Sequence, residues 1–231
     1  MILKGLRKII RVFRKKIPMK QELLLIKALE EEGFDCKKLK LRIDHNYGLN
    51  FVNGIEFGIK YPRSFYTNAQ NVVKKKKKYS FYFNGYINDN GGRKKLLELF
   101  SRLPNSKIIS SNDGRIPKNK DVFNKSYFNE LADSQFGLCP HQLDWQGDLN
   151  ALWTYRFIEC CFVNTIPVLF KKTPLSEKFI KGFNFYWDDD ILNNLNLDSK
   201  KLTHMSIHNK QLASEIFLFT EEELNSIRKS L

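Results

Sequence analysis

Apolar and polar positions along this chain repeat with two different periods, and the switches between them mark out its elements. From Gln21 to Gly33 (QELLLIKALEEEG) apolar residues recur at helical spacing up to a closing glycine, which predicts a helix. Lys38 to Ile43 alternates charged and apolar residues as a strand does, and GLNFVNGIEFGIKYP, with its spaced glycines, predicts either a hairpin or a strand with a loop. Asn68 to Lys78 reads as a linker that ends in five lysines, Lys74 to Lys78. Tyr79 to Gly85 (YSFYFNG) alternates aromatic residues in a strand pattern, and Gly91-Gly92 then turns the chain into a helix from Arg93. Lys107 to Ser111 (KIISS) is the next strand, and Asp113-Gly114 marks a turn in the loop from Asn112 to Lys120.

The densest information lies between Ser126 and Phe170. A short helix leads to Phe136–Cys139, an apolar run too short for a helix and stopped by Pro140, which predicts a strand buried on both faces. The loop from His141 to Asn150 holds His141, Asp144, Trp145, Gly147 and Asp148, a mixture suited to a polar ligand and poorly suited to a core. Helical spacing returns from Ala151 to Phe162, with Arg156 and Glu159 three apart on one face, and Thr165 to Phe170 (TIPVLF) predicts a second buried strand. Beyond it come a short helix through Phe179, an edge strand from Phe183 to Trp187, a turn over Asp188–Asp190, and a helix from Gln211 with Thr220 capping Glu221 to Glu223.

Strand, helix, strand, loop, helix, strand, helix, strand is the order of an α/β fold, a Rossmann-like parallel sheet with helices on both faces. The domain reading is a basic amphipathic helix over 1–18, a small, reduced N-terminal α/β region over 19–73, the sheet domain over 79–190, and a C-terminal helical segment over 191–231. In such open sheets ligands bind outside the carboxyl ends of the strands, where the 141–150 loop falls.

Composition narrows the partners. With 231 residues and 42% hydrophobic content the chain can bury a core, and its formal charge of +14 implies an anionic partner: nucleic acid, an acidic membrane surface or a phosphate-bearing substrate. The four cysteines, Cys36, Cys139, Cys160 and Cys161, show no C-x-x-C spacing; buried reduced thiols, no zinc and a cytoplasmic setting are expected. No stretch reaches the ~20 apolar residues that span a bilayer. In MILKGLRKIIRVFRKKIP the apolar residues Ile2, Leu3, Leu6, Ile9, Ile10 and Phe13 share one helical face, which suits either the inner face of an anionic membrane or packing on the chain's own domain.

The motifs point to phosphate chemistry. A Gly-rich strand-to-helix turn presents backbone N–H groups and a positive helix end, here carrying Arg93, while the G-x-G-x-x-G fingerprint of dinucleotide binding is absent. A strand ended by Pro140, a polar loop, R-x-x-E at Arg156–Glu159 and I-P-V-L at Ile166–Leu169 resemble the C-terminal half of exostosin-like glycosyltransferases over roughly residues 79–190. Cys160 stands where that family usually has Ala, Asn164 where it usually has Gly, and the family's run of Gly and Ser is missing from the loop.

The resemblance implies a GT-B type C-terminal domain and a glycosyltransferase that moves a sugar from a nucleotide-diphosphate sugar to a glycan or lipid-linked acceptor, in cell-surface polysaccharide or glycoconjugate synthesis. It places Gly85 and Arg93 near the donor diphosphate and Glu159 at the ribose hydroxyls; charge building on the departing diphosphate calls for a fixed cation, a role open to Arg156. The plainer readings are a solvated Arg93 and an Arg156–Glu159 ion pair on an exposed helix face. An inverting transfer also needs a general base, for which Asp144, Asp148 and His141 are candidates by location. No cofactor and no metal are expected: D-x-D is lacking apart from the Asp188–Asp190 run. Two other functions fit parts of the chain. One is a non-catalytic glycosyltransferase-like scaffold; the other is a nucleic-acid-binding module, against which stands the lack of an RNP-type pattern.

Overall fold

The computed structural model describes residues 19–74, 76–87, 92–111, 122–141, 148, 152–194 and 197–231. The expected basic helix over 1–18, the Asp113-Gly114 turn and Asp144 lie outside the described residues.

The chain opens with α1 (Lys20–Glu31), whose apolar stripe of Leu24, Leu25, Ala28 and Leu29 is buried. After a short 3-10 turn over Cys36–Lys38, β1 (Leu41–Asp44), β2 (Leu49–Val52) and β3 (Ile55–Phe57) form an antiparallel sheet in sequence order. GLNFVNGIEFG is therefore a hairpin. Asn53 and Gly54 both hold positive φ (50° and 87°), the left-handed pair that matches the twist of two adjoining strands. The segment read as a linker from Asn68 begins inside α2 (Arg63–Asn71), which buries Phe65 and Ala69; the linker itself is confined to the residues after it.

The second sheet is parallel throughout. Its strands are β4 (Tyr79–Gly85), β5 (Ser106–Ser110), β6 (Ser134–Leu138), β7 (Ile166–Leu169) and β8 (Tyr186–Trp187), in spatial order β5-β4-β6-β7-β8. Between them run α3 (Arg93–Ser101), α4 (Lys125–Ala132), α5 (Tyr155–Phe162) and α6 (Glu177–Ile180); α7 (Asp188–Asn193), α8 (Ser199–Phe217) and α9 (Glu221–Lys229) follow. Alternate strand residues enter two different cores, which is why these strands read as nearly continuous apolar runs. Phe81, Phe83, Phe136, Leu138, Ile166 and Val168 pack with α3 and Ile191, whereas Tyr82, Cys139 and Leu169 pack with α4 and α5. The α/β class with helices on both faces is thus the architecture of the chain.

Several boundaries differ from the sequence reading; the edge strand expected from Phe183 to Trp187, for one, is only Tyr186–Trp187. The fifth helix starts at Tyr155, not Ala151, because the Thr154 hydroxyl caps it and Leu152 and Trp153 are buried ahead of it. Asp188–Asp190 form the first turn of α7 instead of a loop turn; acidic side chains suit the positive end of a helix, and Asp189 also holds the Lys171 ammonium at 2.6 Å. The helix expected from Gln211 begins twelve residues earlier, at Ser199, and Thr220 then opens α9 with a reciprocal capping box to Glu223.

The last helix returns to the first sheet. Phe219, Leu224 and Ile227 share one buried cluster with Leu25, Leu29, Val52 and Phe57. Lys60, 3% exposed, fastens this return: its ammonium donates to the Ile216 and Leu218 carbonyls, both at 3.0 Å, and to Glu223 at 2.7 Å.

Candidate anion site at the end of the central strand

Strand order reverses between β4 and β6: the chain moves outward from β4 to β5, then crosses back to β6 and continues the other way. Such a reversal leaves a crevice outside the carboxyl ends of the two strands. Asn84 and Gly85 end β4 there, and Pro140 and His141 follow β6.

Arg156, the second residue of α5, reaches over this rim. Its Nη2 donates to the Asn84 carbonyl at 2.9 Å, and its guanidinium stacks on Phe83 with 4.1 Å from Cζ to the ring centroid. The crossing exists because residue 85 has no side chain: a Cβ added to Gly85 would lie 2.4 Å from Nη2. From the opposite face of the sheet comes Arg93, the first residue of α3, after Gly92 in the left-handed conformation. Arg93 Nη1 donates to the Tyr86 carbonyl at 2.7 Å, and its Cζ lies 6.0 Å from the same Phe83 ring. Gly85, Arg93 and Arg156 are therefore brought together at one strand end.

The electrostatics of this end favour an anion. Arg93, Lys94 and Lys95 occupy the first turn of α3 with no acidic residue among them, at the positive end of a helix, the reverse of the stabilising placement. A second guanidinium arrives from α5. The two guanidiniums offer an anionic ligand several N–H donors.

Glu159 sits apart from this cluster. It shares α5 with Arg156, but the two do not pair, since each has a partner on another element. Glu159 is 3% exposed; its Oε1 takes the Lys20 ammonium at 2.5 Å and its Oε2 the Tyr127 hydroxyl at 2.9 Å. Burial and the nearby carboxylate push the Tyr127 hydroxyl well above the usual phenol range, so it acts as a donor. Neither the exposed ion pair nor an open carboxylate describes Glu159: it is the buried joint between α1, α4 and α5.

Of the expected bases, His141 lies three residues past the end of β6, with its backbone N–H on the Thr173 hydroxyl at 3.2 Å, and Asp148 is exposed. Among the described residues no three His, Cys, Asp or Glu side chains gather to hold a metal ion. No described helix is long and apolar enough to cross a membrane. All four cysteines are free thiols; Cys139, Cys160 and Cys161 are buried, and burial drives the last two well above their ordinary range. The lysine run enters the amino end of β4, opposite the arginine rim. There Lys77 turns inward and donates to the Ala132 carbonyl at 2.8 Å, capping α4.

Sequence reasoning did not single out Lys20, Tyr127 or Trp153. Trp153 joins the two sheets: its indole N–H donates to the His45 carbonyl at 2.8 Å and its ring packs edge-on against Tyr155. Lys20 and Tyr127 meet Glu159 across 139 and 32 residues, a relation that leaves no local pattern.

No family model matches the chain, and no curated protein matches it. Among solved structures it is similar to the C-terminal domain of a glycosyl transferase group 1 family protein (LpcC) from Francisella tularensis. The two are 13% identical with a TM-score of 0.41, over 66% of this chain and 94% of that one.

Proposed function

We propose that this chain is a glycosyltransferase that holds a nucleotide-diphosphate sugar at the carboxyl end of β4 and transfers the sugar to a glycan or lipid-linked acceptor, within cell-surface polysaccharide or glycoconjugate synthesis. The observation that carries the reading is the meeting of Arg156 and Arg93 on Phe83, made possible by the missing side chain at Gly85. It is joined by the exostosin-like order of R-x-x-E and I-P-V-L in the sequence.

In this reading the two arginines take the diphosphate. Breaking the anomeric C–O bond builds negative charge on that leaving group, and cations already fixed at the site stabilise it without reorganising. Glu159 accepts the ribose hydroxyls. His141, three residues past β6, and Asp144 and Asp148 on the loop are the candidate bases. No metal enters the scheme. The 1–18 segment, with its basic and apolar faces, supplies peripheral attachment to the inner face of an anionic membrane.

A second reading, a non-catalytic glycosyltransferase-like scaffold, is favoured by one observation, that both Glu159 oxygens are already engaged. Calorimetric titration with UDP, GDP and ADP separates the outcomes. Binding that weakens about tenfold or more in Arg156→Met, the loss of one charge-assisted contact, supports the donor site. Failure of every nucleotide to bind the folded protein overturns it, and binding without sugar turnover on any acceptor favours the scaffold.

A further inference from the structure

We infer that Lys20 is a latch on Glu159: ligand hydroxyls reach the carboxylate only when the Lys20 ammonium leaves it. The inference rests on the donor-site reading above.

Lys20 is the more accessible partner of the pair. Its side chain keeps 22% of its exposure against 4% for Glu159, so it roofs a carboxylate that solvent barely touches, with its ammonium 4.7 Å above the Tyr155 ring. Tyr127 closes the other oxygen from within. The Tyr61 hydroxyl is buried without a hydrogen-bond partner among the described residues; burial first, and then the Glu159 carboxylate, push it well above the usual phenol range. Buried polar groups are nearly always paired, so this hydroxyl has an unused hydrogen bond to offer.

The element that carries Lys20 is built to let go. Lys20 opens α1, where a cation opposes the helix dipole, and Met19 before it provides no side-chain cap. Terminal turns of this kind open at little cost in free energy. The next residue stays fixed: Gln21 is fully buried and donates to the Leu49 carbonyl and the Asn50 side chain, both at 2.9 Å. Lys20 can therefore swing on its four-carbon stem while α1 remains docked through Gln21. Every ligand bound at Glu159 must first displace an ammonium, so apparent affinity is lowered by the fraction of molecules in which the latch is closed.

The test uses the full chain with UDP, GDP and ADP as probes and two readouts. In the first, wild type is briefly acetylated with acetic anhydride with and without nucleotide, and modification at Lys20 is quantified by peptide mass spectrometry. In the second, each nucleotide is titrated into wild type and Lys20→Met. The latch predicts that a bound nucleotide raises acetylation of Lys20 about tenfold, as for a group taken from open one time in ten to always open. It also predicts that Lys20→Met binds about tenfold more tightly, with the closed state removed. Binding by Lys20→Met alone would support it in its strongest form. A nucleotide that binds wild type and leaves Lys20 acetylation unchanged overturns the latch and leaves the donor site standing, even if Lys20→Met does not fold. Folded proteins that bind no nucleotide in either form overturn both.

Discussion

Arg156 and Gly85 depend on one another, and the dependence can be measured. Because the added Cβ would meet the far end of a flexible side chain, Gly85→Ala should displace the guanidinium from Asn84 without disturbing the strand. Nucleotide affinity should fall about tenfold or more while the urea midpoint stays close to wild type. Gly137 is the contrasting case. There a Cβ would lie 2.2 Å from the buried Cys160 sulfur, with no room for either group to move. Gly137→Ala should cost about 1–3 kcal/mol of stability, as overpacking does, and Cys160→Ala in the same chain should restore most of it. The departure from alanine at 160 is thus matched by the glycine on the neighbouring strand. Lys77 gives a pH signature. Burial lowers its ammonium from the ordinary 10.5 to about 8, so between those values the unfolded chain holds a proton that the folded one has released, and stability rises with pH. Wild type should gain on Lys77→Met as pH is raised from 7 to about 9.5, read by urea unfolding at each pH.

At the scale of elements, the caps decide boundaries that periodicity alone places loosely. The helical spacing from Ala151 to Phe162 is real, yet Thr154 starts the helix, and Trp153 before it is tied to His45. The Thr220–Glu223 capping box governs the end of the chain in the same way: Thr220→Ala should cost about 1 kcal/mol, measured as a lower urea midpoint. The central parallel strands were legible because burial on both faces makes their middles apolar, as in IPVL of β7, and Gly85 and Pro140 mark where β4 and β6 stop. In α2 and α8 the apolar stripe is too weak or too broken to mark the helix. In α2, RSFYTNAQN combines polar residues with only two buried positions, so no stripe stands out. In α8, two of the buried positions are Ser206 and Asn209, whose side chains are satisfied by the Thr203 and Asn184 carbonyls, and the stripe is broken by them. The arginine rim could be anticipated, since Gly85 and Arg93 border a strand-to-helix turn and Arg156 opens the helix after the ligand loop. The Lys20–Glu159–Tyr127 joint could not, because its members are contributed by three separate helices.

For the molecule as a whole, the small sheet is completed by residues from the far end of the chain. Phe219, Leu224 and Ile227 fill its core, Lys60 locks onto Glu223, and Asn53 on the hairpin donates to the Ser230 carbonyl at 3.3 Å and hydroxyl at 3.1 Å. Burial of each such apolar side chain is worth about 1.5–3 kcal/mol, so their sum rivals the whole stability of an ordinary domain. Removing residues 219–231 should therefore release β1 to β3, seen as loss of hydrogen-exchange protection in those strands. The same arrangement sets an order of events on the ribosome. Domains usually fold from the amino end as they emerge, at about 5–20 residues per second. Here α1 and the hairpin cannot finish their core until residues near 219–227 have been translated, so they wait, exposed, through the synthesis of the entire parallel sheet. During that interval their leucines are available to chaperones, and the nascent chain should be most prone to aggregate just before α9 appears.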